Sequence, residues 1–371
     1  MKIIATTFTG LEEVLKKEIE DLGGKNITVL KRAVSFFGDK ELMYRANLEL
    51  RTAIRVLVPI TDFFAPDPET LYEKVMEIEW PALFDVERTF SVEAVVHSNI
   101  YRHSGFVALK TKDAIVDKFR EKFDYRPDVD NKQPNVVINV HVQNDYFTIS
   151  LDASGEPLYK RGYRVEQTIA PMNEVLAAGL IQLSGWDKQT DFVDFMCGSG
   201  TLPIEAALLA TNTPSQFKRT YFAFKYWKNY DKGLWDKVKA EAMSRVNKDI
   251  KVRIFGSDKS YRAINIAWKN AISAKMEDYL DFKDIPMEKL RPFKGHKHII
   301  INPPYGRRLA GNMPGIYSTI GRVLKNNFSG SNAWIFTTEK RYLSYLGLKP
   351  EKIYNVKTGA VDGTFAGYKI F

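Results

Sequence analysis

A chain of 371 residues, 44% hydrophobic and 27% charged, has the composition of a globular protein and the length of two or three domains rather than one. Its 54 Lys and Arg against 45 Asp and Glu leave a net charge of +9, which suits an anionic partner, nucleic acid before membrane. The single cysteine, Cys197, excludes an intrachain disulfide and a cysteine-built zinc site, and the five scattered histidines suggest no metal centre. No apolar run approaches a membrane span. Glu12, Glu13, Lys16 and Lys17 interrupt any leader-like core near the start, so a cytoplasmic protein is expected.

Taken in chain order, Ile3 and Ile4 predict a strand. Thr9 and Glu12 then stand in capping-box register before Leu11, Val14, Leu15, Ile19 and Leu22 at helical spacing, and Gly23-Gly24 stops that helix. Strands are expected at 27–30, 34–37, 55–62, 90–96, 136–142 and 146–152, with helices near 40–50, 70–78 and 105–123. This mixture implies α+β modules. Residues 124–135, rich in Pro, Asp and Asn, form a loop.

From about residue 170 the pattern alternates. Helix 174–184, strand 190–195, a glycine turn, a helix from 201, strand 252–257, helix 261–273 and strand 297–301 predict a doubly wound, Rossmann-like α/β sheet. Residues 211–250 interrupt it as an insertion. Its Phe222, Phe224, Tyr226, Trp227 and Trp235 are expected to pack onto the domain rather than stack on bases.

"TDFVDFMCGSGTLPIEAALLA" (190–210) reads as strand, sharp turn and helix. Glycines let a backbone approach a ligand, and the helix start offers free N–H groups. Gly198 and Gly200 match the start of a dinucleotide fingerprint, but Pro203 occupies the third glycine position. The acid expected about 20 residues further on is replaced by the distant Asp258, which disfavours NAD. Asp194 before the turn and Asp258 in "IFGSDKS" suit S-adenosylmethionine, which carries an ammonium group and ribose hydroxyls but no phosphate. In "LDFKD", Asp281 would accept the adenine amine, with Asp284 as alternative. Cys197 reads as a small buried side chain inside the turn, not a nucleophile. With Thr201 it completes the cofactor set of Asp194, Cys197, Gly198, Gly200, Thr201, Asp258 and Asp281.

In "HIIINPPYGRRL" (298–309), Ile299, Ile300 and Ile301 form a buried strand that two prolines end at once. Open α/β sheets place ligands at such carboxyl ends. Asn302 and the carbonyl of Pro303, held rigid by Pro303 and Pro304, can accept both hydrogens of a planar exocyclic amine. Tyr305 offers a face for the base. The amine is then aimed at the methyl donor, with transfer driven by positioning and no metal.

"DFMCGSGT" together with "NPPYG" resembles the Rossmann-like amino methyltransferases. "SLDASGEPLYKRGYR" (150–164) and "APMNEVLAAGLI" (170–181) resemble the junction in RNA guanine-N2 methyltransferases that carry a THUMP RNA-binding domain. The resemblance implies a ferredoxin-like segment at 1–60, THUMP at 61–153, a basic linker at 154–169 and the methyltransferase domain at 170–371. It implies methylation of guanosine N2 in 23S rRNA, with tRNA as the alternative substrate. Rival readings are a DNA adenine methyltransferase and a non-catalytic RNA-binding or assembly factor. Lys160, Arg161 and Arg164 would hold RNA phosphates, and Arg102, Lys110 and Lys112 would serve the THUMP face. Some ribosomal enzymes of this type continue into a second methyltransferase domain. With this chain ending at Phe371, the last residue of "GYKIF", that second activity is expected to be absent.

Overall fold

The computed structural model describes residues 1–168, 171–304, 312–359 and 361–371. Among these residues the first half of the chain forms β1 (Lys2–Thr6), α1 (Glu12–Asp21), β2 (Lys25–Leu30), β3 (Ala33–Phe37), α2 (Lys40–Glu49) and β4 (Arg55–Phe64). It continues through α3 (Pro68–Met76), α4 (Trp80–Leu83), β5 (Phe90–His97), α5 (Ser104–Phe123), β6 (Val136–Gln143) and β7 (Tyr146–Asp152). The strands make one sheet in the order β2-β3-β1-β4-β7-β6-β5, in which β5 and β6 run parallel. Its first part has the β-α-β-β-α-β sequence of a ferredoxin-like unit. The long β4 pairs with β1 through Arg55–Leu57 and with β7 from Leu57 to Phe64, so the sheet continues past residue 60.

The capping box expected at Thr9 does not form. Thr9 is drawn into a bridge with Lys357, whose N–H it accepts at 3.0 Å. The Glu12 carboxylate instead accepts the N–H groups of Gly10 (2.6 Å) and Arg32 (3.1 Å), and α1 starts at Glu12 without a side-chain cap.

The second half contains α6 (Glu174–Leu183), β8 (Asp191–Asp194), α7 (Thr201–Ala210), α8 (Lys232–Ser244), β9 (Ile254–Asp258), α9 (Tyr261–Ala274) and β10 (Leu280–Asp284). It ends with β11 (Lys297–Ile301), α10 (Met313–Asn327), β12 (Asn332–Thr337), β13 (Lys352–Thr358) and β14 (Val361–Lys369). The sheet order is β10-β9-β8-β11-β12-β14-β13. Five strands are parallel; β13 and β14 add an antiparallel hairpin at one edge. Strand order reverses between β8 and β11, the place where open α/β sheets gather ligands at their carboxyl ends.

The aromatic insertion does pack, but onto the other half of the molecule. Phe222, Phe224, Trp227 and Trp235 belong to the core of the N-terminal sheet, where Phe224 and Trp235 meet Tyr44 of α2 at ring separations of 4.6 and 5.9 Å. Conversely Phe8 and Leu11 enter the core of the second half. A Cβ on Gly179 of α6 would lie 2.5 Å from a Leu11 methyl group, so any larger residue would displace that side chain. Glu18 of α1 accepts from the Thr52 hydroxyl (2.6 Å) and from Gln182 of α6 (2.7 Å), which stitches the two halves together.

Candidate active site

At the end of β8, Asp194 is buried and accepts the N–H of Met196 at 3.0 Å. Burial, with the negative charge of Asp258 nearby, pushes its carboxyl well above the usual aspartate range. The chain then turns through Gly198 (φ +52°) and Gly200 (φ +82°). A Cβ on Gly200 would meet the Phe282 ring at 2.9 Å and Ala267 at 3.0 Å, so both backbone angle and space demand glycine here. α7 starts directly after Gly200 with no side-chain cap, which leaves its first N–H groups to a ligand or water.

The end of β9 is tied to this turn. Asp258 accepts the N–H of Gly198 (3.1 Å) through one oxygen and of Ser260 (2.9 Å) through the other, while the Ser257 carbonyl accepts the N–H of Cys197 at 2.9 Å. Cys197 is buried, and its thiol is pushed well up by desolvation and by Asp194 and Asp258. It is no thiolate.

Asp281 does not reach this end of the sheet. Its parallel partner is Phe255, it pairs with Lys283 at 2.8 Å, and it lines a separate cleft with Asp191 and Arg253. Asp284 stands opposite Asp258. Asp284, three positions after Asp281, is thus the one of the two candidates that shares the strand end with Asp258.

β11 is buried along its length, between β8 and β12. It delivers Asn302 to the same edge as Asp194. The Asn302 Oδ1 is buried and has no hydrogen-bond partner among the described residues, a costly condition for an amide oxygen. Pro303 is buried and Pro304 half-buried beside it. Tyr305 lies outside the described residues.

The linker separates into unlike parts. Arg161 is fully buried, donating to the carbonyls of Leu158 (3.0 Å) and Arg51 (2.5 Å) and lying 3.4 Å from Glu205. It cannot hold RNA phosphates, because the fold has already enclosed it. Arg164 is also committed, to Glu174 (2.8 Å), the Met172 carbonyl (2.8 Å), Ser199 (3.3 Å) and Thr201 (3.1 Å). It clamps the linker onto the cofactor turn, so Arg164 and the Thr201 hydroxyl serve each other here rather than RNA and ligand. Lys160 alone of the three stays exposed, beside Glu156. It borders a cleft of about 590 Å³ together with Tyr159, Lys218 and Tyr221. On α5, Lys110 lies over the Tyr72 ring and Lys112 pairs with Asp113; Arg102 is exposed just before the helix.

Asn270 of α9 escaped the sequence reading. Its amide nitrogen donates to the carbonyls of Ser199 (3.1 Å) and Glu166 (3.0 Å), and its oxygen accepts the N–H of Val165 (3.0 Å). It thereby joins turn and linker. The detectable signal is an amide among Ile264, Ala267, Ala271 and Ala274 on a buried helix face. Among the described residues no three His, Cys, Asp or Glu side chains converge as a metal site, and no helix is long and apolar enough to cross a membrane.

Comparison with known proteins places this geometry. Residues 161–366 match the family model of an RMKL-like methyltransferase domain, residues 65–152 that of a THUMP domain, and residues 2–57 that of an RlmL ferredoxin-like domain. A ribosomal RNA large subunit methyltransferase K/L from Syntrophotalea carbinolica is 35% identical over 382 residues, covering 100% of this chain and 54% of that protein. The chain thus spans about half the length of this curated relative. Among crystal structures, "a putative methyltransferase complexed with SAH" is 30% identical with a TM-score of 0.90, covering 100% of this chain and 98% of that one. A possible methylase from Clostridium difficile 630 (29%, TM-score 0.91) also covers 100% and 98%. A predicted N6-adenine-specific DNA methylase from Listeria monocytogenes (29%, TM-score 0.89) covers 100% and 96%.

Proposed function

The chain belongs to the RMKL-like methyltransferase family, and from that membership we propose that it transfers a methyl group from S-adenosylmethionine to the exocyclic N2 amine of a guanosine in 23S rRNA. The observation that carries the chemistry is the buried Oδ1 of Asn302 at the carboxyl end of β11, which finds no partner among the described residues. The choice of ribosomal RNA is supported by the name of the K/L relative and by the THUMP match.

The residues fit the cofactor's donor set. Asp194 and Asp258 at adjacent strand ends are acceptors suited to an ammonium group and to ribose hydroxyls, and Asp284 to an adenine amine. A phosphate-bearing cofactor would meet three carboxylates. When bound, S-adenosylmethionine supplies an electrophilic methyl group on a sulfonium. The chain's part is placement: Asn302 Oδ1 and the Pro303 carbonyl accept the two amine hydrogens and fix the nitrogen's direction. Both acceptors strengthen as positive charge grows on that nitrogen, so they stabilise the transition state more than the ground state. Fixed phosphate contacts orient the RNA, and the target base must leave its stack to reach the loop.

The test is incubation of the full chain with transcribed, unmodified 23S rRNA and labelled S-adenosylmethionine, followed by digestion to nucleosides. The proposal requires label in N2-methylguanosine. Label in N6-methyladenosine, or in tRNA but not rRNA, would reassign the substrate; no transfer to any RNA would reject the activity.

A further inference from the structure

At the carboxyl edge of the sheet, β11 separates two flanks. On one lie β8, β9 and β10 with Asp194, Asp258 and Asp284; on the other lie β12 and β14. A base whose amine rests on Asn302 must place its ring on the β12 flank, because the opposite flank belongs to the methyl donor. Ile301 pairs with Ile335, so the last residue of β12, Thr337, stands beside the Asn302–Pro303 step.

This flank is built around Thr337. Its buried hydroxyl oxygen accepts from Tyr317 (2.8 Å) and from the backbone N–H of Glu339 (3.1 Å), which fixes where the Glu339 side chain departs. Arg341 is the ion-pair partner of Glu339 at 3.2 Å, and its side chain is 71% exposed, so the pair is loose and replaceable. The Tyr342 ring lies against Tyr317 at 5.5 Å under the Arg341 guanidinium. Asp362, the other carboxylate of this flank among the described residues, is one strand further away on β14 and pairs with Lys357 at 3.1 Å.

We propose that Glu339 determines which base is methylated, by accepting the N1–H of guanine while Asn302 holds the neighbouring N2 amine. This rests on the guanine-N2 reading above and adds the group that enforces it. Guanine presents a donor at N1 beside its amine; adenine presents an acceptor there. A carboxylate can only accept, so it complements the first and repels the second.

2-Aminopurine separates these effects, because it keeps the C2 amine but has an acceptor at N1. The probes are the 23S transcript and, at the mapped methylation position, a ligated copy carrying 2-aminopurine. Wild type should methylate the guanine transcript with a kcat/KM on the order of 100-fold or more above the 2-aminopurine copy, the scale at which a site built for an N–H rejects its absence. Glu339→Gln, whose amide can also donate, should lose rate on guanine, gain on 2-aminopurine and narrow that ratio at least tenfold. Glu339→Ala should lose on guanine without the gain. A merely structural role would lower both substrates together, leave the ratio unchanged and overturn the proposal. Variants that keep the wild-type rate on guanine would overturn it too. Failure of wild type to methylate any guanine transcript would instead remove the reading beneath it.

Discussion

Asp258 accepts the backbone N–H of Gly198 at 3.1 Å, so an acid on the second strand of the sheet fastens the glycine turn that follows the first. In the proposed function the same carboxylate would also take ribose hydroxyls, so its loss would act on both. Asp258→Ala should weaken S-adenosylhomocysteine binding by about 2–3 kcal/mol, the scale of hydrogen bonds to a charged group. Calorimetry reads this directly, and unchanged affinity would remove Asp258 from the site. Excess NADH should not displace the ligand.

If Asp194 receives the ligand's ammonium group as proposed, ligand binding should depend on pH. Its folded-state pKa is raised, so the unliganded protein is stabilised by this group at acid pH and loses that stability as pH rises from the ordinary aspartate value of 3.8 through the raised one. A ligand ammonium favours the carboxylate and expels the proton. Affinity for S-adenosylhomocysteine should therefore climb across this window and level off above it, with proton release visible in buffers of different ionisation enthalpy. Asp194→Asn should flatten the dependence; a flat wild-type curve would contradict the assignment.

Cys197 should be chemically quiet. With the thiol buried and pushed up in pKa, Cys197→Ala should retain methyl transfer within a few-fold, and iodoacetamide should label the folded protein far more slowly than the unfolded chain. Abolished transfer in a folded Cys197→Ala protein would restore the nucleophile reading.

Neighbouring basic residues in the linker should behave oppositely. Arg161→Ala takes the cation from beside the buried Glu205 carboxylate, which keeps the Tyr163 hydroxyl, and should cost about 3–5 kcal/mol in urea unfolding. Lys160→Ala should leave stability alone but weaken RNA binding and lower the salt slope by about one charge. RNA measurements need the whole chain, because residues 222–242 complete the core of the N-terminal half. Equal stability of the two variants would contradict the burial of Arg161.

Much of this was legible in the sequence wherever local periodicity decides the outcome. The helix expected at 261–273 is Tyr261–Ala274, and the strand expected at 297–301 is Lys297–Ile301. The turn at Gly198 and Gly200 announces itself because glycine enters left-handed backbone angles without the cost a Cβ brings. What escaped depends on distant partners. Lys160 and Arg161 look alike in sequence, yet a carboxylate 44 residues away lies beside one of them in the core. Asp281 and Asp284 differ only by strand register against β9, which one sequence does not print. Thr9 follows every rule of a helix cap, and a bridge to Lys357 overrides them.

The central claim is that Asn302 holds the target amine. Asn302→Ala removes a side chain at the rim of the site, so folding and S-adenosylhomocysteine affinity should stay near wild type. The decisive measurement is single-turnover transfer of labelled methyl to unmodified 23S rRNA. The rate should fall by a factor on the order of 100 or more, because the amine loses its orientation and an acceptor that strengthens in the transition state. Transfer by Asn302→Ala at the wild-type rate would show that this loop does not hold the amine.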